Sequence, residues 1–284
     1  MSVVVRFFTT IYYNKKALIG FILVVFFVLM ALIGPLFFHF STAIDYSARL
    51  DPPSFAHPLG TDFAGRDTLT EIVIGSQQVL SVAFWAALIS LSAGVVIGIL
   101  AGFIGGVVDE ILMIIINLVL TIPSFSLNLI LAAIFSVTSP VAFGLLLSVT
   151  AWAPLALGVR AQILSLRERD YITVARLMGL GKGYILTREL LPNIVSYLTI
   201  NFIQSASGAV QASVGIMLLG LVPYSVTNWG QMLNIAINQN GGLSNPSGVY
   251  YMLSPILALT LFTFGCFLFA NGIDDFFNPR LRTS

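Results

Sequence analysis

The chain has little charge. Aspartate, glutamate, lysine and arginine make up 9% of its 284 residues, against roughly a quarter in an ordinary soluble domain. Its one cysteine, Cys266, sits inside an apolar stretch, which excludes a disulfide framework and a cysteine-based metal site. The two histidines, His39 and His57, are far apart and lack ligand spacing, so no metal site is expected on this chain. There is no basic run long enough to follow phosphates, and a net charge of +1 gives no reason to expect a nucleic-acid partner. A phosphate-binding loop is missing too. The only Gly-Lys pair, Gly181-Lys182, is followed by Gly183 rather than Ser or Thr, without the upstream glycine spacing. Nor do the apolar segments hold an acid–base pair or a nucleophile constellation, which makes an enzyme the least favoured class.

What the chain has instead is apolar surface: 57% of it is hydrophobic. A water-soluble core cannot absorb that much, so lipid must face much of it. Six segments are long enough to cross a bilayer core: Ala17–Phe38, Val79–Phe103, Ile111–Val137, Val141–Val159, Ile194–Leu221 and Leu253–Ile273. The first follows Lys15 and Lys16, but its uncharged run exceeds the short apolar core of a cleavable signal and reads as a retained anchor. An even number of spans puts both termini on one side. Arg6, Lys15, Lys16, Arg160, Arg167, Arg169, Arg176, Lys182, Arg188, Arg280 and Arg282 share that side, and only Arg49 and Arg66 lie on the other. The positive-inside rule makes the first side cytoplasmic. The expected fold is an all-α multi-pass membrane protein with six transmembrane helices and cytoplasmic termini. It divides into a tail (1–16), an anchor (17–38), an external loop (39–78), a five-helix core (79–273) containing a cytoplasmic loop (160–192), and a second tail (274–284).

Three loops differ in character. The external Phe40–Gln78 is acidic, and Val222–Met252 has no charge and is rich in Asn, Gly, Ser and Pro. The cytoplasmic Arg160–Pro192 is the most highly charged part of the chain. Within it Ile172, Ala175, Leu177 and Met178 recur at helical spacing among Arg167, Arg169, Asp170 and Arg176. Gly179, Gly181 and Gly183 interrupt the helix, and a second helical run, Tyr184–Leu191, leads to Pro192 in the first turn of the next span. Such an amphipathic knob is shaped to sit in another protein's groove.

At this point the sequence resembles a known family. Ala175, Gly179 and Leu191-Pro192 are similar to the cytoplasmic "EAA" loop of ABC importer permeases, with Thr173 and Val174 in place of its Glu and first Ala, and Glu189 in place of its Ile. Five more blocks look like the "C" subunit of the oligopeptide/dipeptide/nickel permeases: Asn14–Gly20, His57–Asp67, Gly102–Asp109, Trp229–Leu233 and Asn278–Arg282. They lie in the expected order along nearly the whole chain. The resemblance implies the type I importer fold and a site made of Asp170, Ala175, Arg176, Gly179, Leu191 and Pro192 that docks on two ATPase subunits. ATP and Mg would sit on those subunits, and this chain would bind no cofactor. It also implies a homologous second permease, an external solute-binding protein and a prokaryotic cell membrane. The carried solutes would be di- or oligopeptides, with nickel, metal chelates, glutathione or oligosaccharides as alternatives.

The residues agree on the source of energy. No Asp, Glu, Lys or Arg lies within the six spans, whereas ion-coupled carriers bury ionisable groups at membrane depth. A secondary carrier is therefore disfavoured, and a passive channel would have no use for the knob. Within the spans, Gly94, Gly98, Gly102 and Gly106 are read as a helix-packing face. In the fifth span, Asn201, Gln204, Ser205, Gly208, Gln211, Ala212 and Gly215 form a polar stripe. Two readings stand equal: a hydrated translocation path past Asn201, Gln204, Ser205 and Gln211, or interhelical hydrogen bonding. Outside, Asp62, Arg66 and Asp67 either dock a binding protein or, the preferred reading, cap and pair locally.

Overall fold

The computed structural model describes residues 14–277, apart from 136, 223–224, 240–241 and 243–244. Arg6, Arg280, Arg282 and the Asn278–Arg282 block lie outside the described residues. The described elements are helical, and the only strand-like feature among them is a bridge between Thr61 and Asp67. In chain order the helices are α1 (Lys15–Phe37), α2 (Thr68–Ile99), α3 (Gly106–Thr121), α4 (Ser124–Ile134), α5 (Pro140–Arg167), α6 (Asp170–Leu177), α7 (Lys182–Tyr184), α8 (Leu191–Leu218), α9 (Trp229–Asn238) and α10 (Val249–Phe277).

Four helices are long and apolar enough to cross a membrane: α1, α2 with its π-helical extension to Ile104, α5, and α10 as far as Ile273. Local chemistry sets their starts. Asn14 accepts from the backbone N–H of Lys16 and Ala17 to cap α1, and Asp67 caps α2 by accepting from Thr70. That cap starts α2 well before the expected Val79, so the external loop is shorter than its composition suggested.

The expected third span is not one rod. α3 and α4 meet at an 80° bend, because Pro123 has no N–H to give and pushes Ile122 into extended backbone (ψ 125°). A bent apolar pair of this kind is a broken span or a re-entrant loop, and as one span it would be a fifth candidate crossing. The expected fifth span is α8, whose 28 residues reach about 42 Å. Its length is sufficient, but its polar stripe keeps it less apolar than the other four. The expected uncharged loop at 222–252 contains a buried helix, α9, capped by Asn228 and anchored by Trp229, whose Nε1 donates to the Ile72 carbonyl at 3.1 Å.

The molecule is apolar outside as well as inside. Leu32, Leu36 and Phe37 of α1 and Ile114 and Leu118 of α3 are exposed, as lipid-facing residues should be. Glycines set the closest helix contacts. An added Cβ would stand 2.6 Å from Leu155 at Gly94, 2.6 Å from the Ala156 carbonyl at Gly98 and 3.0 Å from Ile163 at Gly102, so α2 lies directly on α5. Gly106 does not continue that face. It has nothing within 4 Å and belongs to the elbow that starts α3, where Gly105 and Gly106 have φ of +74° and +58°. α1 lies on α10, with Gly20 against the Phe269 backbone and Gly272 against Ala17. Phe27, Trp229 and Phe262 join α1, α9 and α10 edge to face, with centroids 5.6–5.8 Å apart.

Candidate coupling surface and translocation cavity

The knob starts at a short break in the helical path. α5 ends at Arg167, Glu168 and extended Arg169 (ψ 143°) intervene, and α6 begins with Asp170 in its first turn, a favourable place for negative charge. Ile172 and Ala175 are buried in one cluster with Val159 and Ile163 of α5 and with Ile185, Leu190 and Ile194. Leu177 and Met178, expected on that same face, point outward instead. With Tyr171 and Val174 they form an exposed apolar set, at 82% for Leu177 and 71% for Met178. The 3.6-residue turn separates the two sets: 172 and 175 lie inward, while 171, 174 and 178 lie together on the outer side. Asp170 and Arg176 are exposed beside them.

Gly179 ends α6. Its φ is +74°, its N–H donates to the Arg176 carbonyl at 3.0 Å, and the Leu180 N–H donates to the Ala175 carbonyl at 3.2 Å. These bonds are the paired 5→2 and 6→1 bonds of a Schellman cap, which needs a left-handed residue. Gly181 adopts an ordinary φ of −61°, and Gly183 is not among the positive-φ residues, so only one of the three glycines is required by its backbone angle. From Lys182 the chain is helical into α8 through a π-helical turn at Ile185–Leu190. That turn absorbs the missing donor and ring bulk of Pro192, which stands exposed in the first turn of α8 next to half-buried Leu191.

Two arginines of α5, not singled out in the sequence, tie the knob's root to the α2–α3 elbow. Arg160 donates through Nε and Nη2 to both oxygens of Asp109 (2.5 and 2.7 Å), and Arg167 Nη1 donates to the Gly102 carbonyl at 2.8 Å. The Gly102–Asp109 block held the signal, since a carboxylate just outside an apolar run calls for a cation. Its partner lies 51 positions away, and spacing could not name it.

The polar stripe of α8 divides between two cavities of about 250 Å³ each. Ser205 lines one, with Ser90, Ser124, Asn128 and Thr150. Gln204 and Gln211 line the other, with Thr263, Cys266 and Phe267. Gly208 borders both. Asn201 is in neither; its Nδ2 donates to the Tyr197 carbonyl one turn back, at 2.8 Å. Asn128 and Ser90 went unnoticed because a lone Asn or Ser in an apolar helix has no periodic signature.

At the other end, Asp62 is fully buried, its Oδ1 accepting from the N–H groups of Ala64 (2.8 Å) and Arg66 (2.7 Å). The Arg66 guanidinium lies 5.3 Å over the Phe40 ring and 3.9 Å from Asp62 Oδ2. Asp67 accepts from the Thr70 N–H and hydroxyl with one oxygen and stands 3.1 Å from His57 Nδ1 with the other. Nearby, the hydroxyl and N–H of Ser47 hold the Asp45 carboxyl below the usual range. Among the described residues no group of His, Cys, Asp and Glu could hold a metal ion.

The sequence is matched by known proteins. Residues 94–283 fit the family model described as binding-protein-dependent transport system inner membrane component, and residues 5–53 fit the N-terminal TM domain of oligopeptide transport permease C. The chain is 28% identical to the oligopeptide transport system permease protein OppC of Bacillus subtilis, over 95% of this chain and 87% of the relative. It is 30% identical to the dipeptide transport system permease protein DppC of the same organism, over 95% and 83%. A DppC from Alkalihalophilus pseudofirmus is 29% identical over 95% and 88%. The chain belongs to the binding-protein-dependent transport system inner membrane components, the permease subunits of ABC transporters.

Proposed function

We propose that this chain is half of the membrane path of an ATP-driven importer for short peptides. One observation carries the reading: a rigidly capped helix, α6, offers Tyr171, Val174, Leu177 and Met178 outward at the end richest in Lys and Arg. A solvated tether would not keep four large apolar side chains exposed beside a Schellman cap, and a groove on another protein would bury them. The occupant is one of two ATPase subunits, which hold ATP and Mg. Asp170, Arg176 and Gly179 shape the docked face, Ala175 seats it on α5, and Leu191-Pro192 passes its movement into α8.

In this reading the chain crosses the membrane six times with both termini cytoplasmic. The broken α3–α4 pair and α8 supply the crossings beyond the four apolar helices. Contacts at the two ends support the alternation. Ala17–Gly272, Gly102–Arg167 and Asp109–Arg160 lie at the knob's end, while Gly34–Val73 and Ile72–Trp229 lie at the other. A second permease completes the path, and an external binding protein delivers the solute. Asp62, Arg66 and Asp67 hold the shape of the external loop for that delivery, since Asp62 Oδ1 and Asp67 Oδ2 accept from backbone N–H groups of the same segment. Peptide as the solute rests on the relatives' names and on a cavity lining of amides and hydroxyls without charge.

Co-purification tests the docking. Detergent-solubilised chain co-expressed with its neighbouring ATPase genes retains both ATPases, and Leu177→Asp with Met178→Asp releases them. Retention by the double variant would overturn the assignment of this face.

A further inference from the structure

The cavity between α2, α4, α5 and α8 contains two side chains whose chemistry packing does not explain. Ser90 of α2 is 1% exposed and Asn128 of α4 is 5% exposed, yet Ser90 Oγ and Asn128 Oδ1 have no hydrogen-bond partner. Buried polar groups are normally paired, and each unpaired one costs stability. The other buried residue of α4 is Ala132, so packing of that helix does not call for an amide. Ser124 of α4, Thr150 of α5 and Ser205 of α8 complete the polar lining, and none of the lining residues is charged. At about 250 Å³ the space is below the roughly 300–1,000 Å³ of a pocket for a whole drug-sized ligand. It suits one residue-sized piece of something longer. Gly208 lines both this cavity and the one holding Gln204 and Gln211, and a Cβ there would meet nothing within 4 Å. The cavity therefore adjoins the polar stripe of α8, one of whose two readings in the sequence is the translocation path.

We infer that Asn128 and Ser90 form a subsite for one uncharged backbone amide of the passing solute, with Asn128 accepting its N–H and Ser90 hydrogen-bonding its carbonyl. A neutral group with one donor and one acceptor satisfies both orphaned atoms at once, which an apolar side chain or an ion does not. The inference rests on the peptide reading above, and its test separates the two.

The intact importer, with its second permease, ATPases and binding protein, is reconstituted in proteoliposomes. It is given a short peptide and a series in which each backbone amide in turn becomes an ester, which removes the N–H. Wild type takes up the peptide about tenfold better, in kcat/KM, than one of the esters, the factor associated with one lost hydrogen bond. Asn128→Leu and Asn128→Ala bring that ratio close to one, because uptake of the peptide falls more than uptake of that ester. The alanine variant cannot clash, so it keeps the test open if leucine crowds the cavity. An unchanged ratio in an assembled variant overturns the subsite, and so does wild-type indifference to every ester, the result expected if the cavity holds only water. A wild-type complex that imports neither peptide nor ester, but does import another solute, overturns the peptide reading and the subsite with it.

Discussion

Gly179 has open space around it, with nothing within 4 Å of where a Cβ would sit, so sterics do not require a glycine there. Its backbone does. A φ of +74° costs an ordinary L-residue roughly 1–2 kcal/mol, and that penalty falls on an eight-residue helix with little stability of its own. Gly179→Leu is expected to leave the chain in the membrane but lower uptake per ATP hydrolysed at least tenfold. Gly179→Asn, which tolerates the left-handed region, should stay within about threefold of wild type. Uptake and phosphate release measured together check this, and full coupling in the leucine variant would refute it. Arg160 acts differently. Its two bonds to Asp109 are partly shielded, at 24% and 19% exposure, so Arg160→Ala should cost about 1–2 kcal/mol. Removing Asp109 as well should then cost less than the sum of the single changes. Thermal unfolding of the purified chain in detergent measures both, and strict additivity would mean that the bond contributes nothing.

At the level of helices, α8 tests the path. Gln204 and Gln211 are exposed and share a cavity, whereas Asn201 is half-buried and lines neither cavity. In a Cys266→Ser background, cysteines at 204 and 211 should react with a membrane-impermeant thiol reagent in at least one transport state, and a cysteine at 201 more slowly. Uniform protection of 204 and 211 in every state would remove them from the path. The helices themselves were largely legible, because twenty consecutive apolar residues leave few alternatives to a span. Pro123 and α9 were harder to read. A proline inside an apolar run signals a kink without giving its size, and α9 hides in an uncharged loop because its burial depends on Ile72, 157 positions from Trp229. The knob was legible as an amphipathic helix with a glycine stop. Its two apolar sets were merged, since periodicity does not tell which set packs on α5. Asn128, Ser90 and the Arg160–Asp109 pair depend on tertiary contacts between distant segments, which no local spacing encodes.

For the whole molecule, charge is sparse in the apolar helices: Glu71 is buried in α2, and Arg160 lies toward the end of α5. Arg160 and Asp109 pair at the knob's root, the two cavities along α8 set amides and hydroxyls among apolar walls, and the sequence has no phosphate-binding loop. In the proposed reading movement enters from outside the chain, through the exposed apolar face of α6. The central claim is that this is a path driven by borrowed ATP hydrolysis. The most direct measurement is uptake of a labelled peptide into proteoliposomes containing the chain with its second permease, ATPases and binding protein. Uptake should require ATP on the knob's side and should persist when proton and sodium gradients are collapsed. Uptake without ATP, or uptake that disappears with an ion gradient, would contradict it.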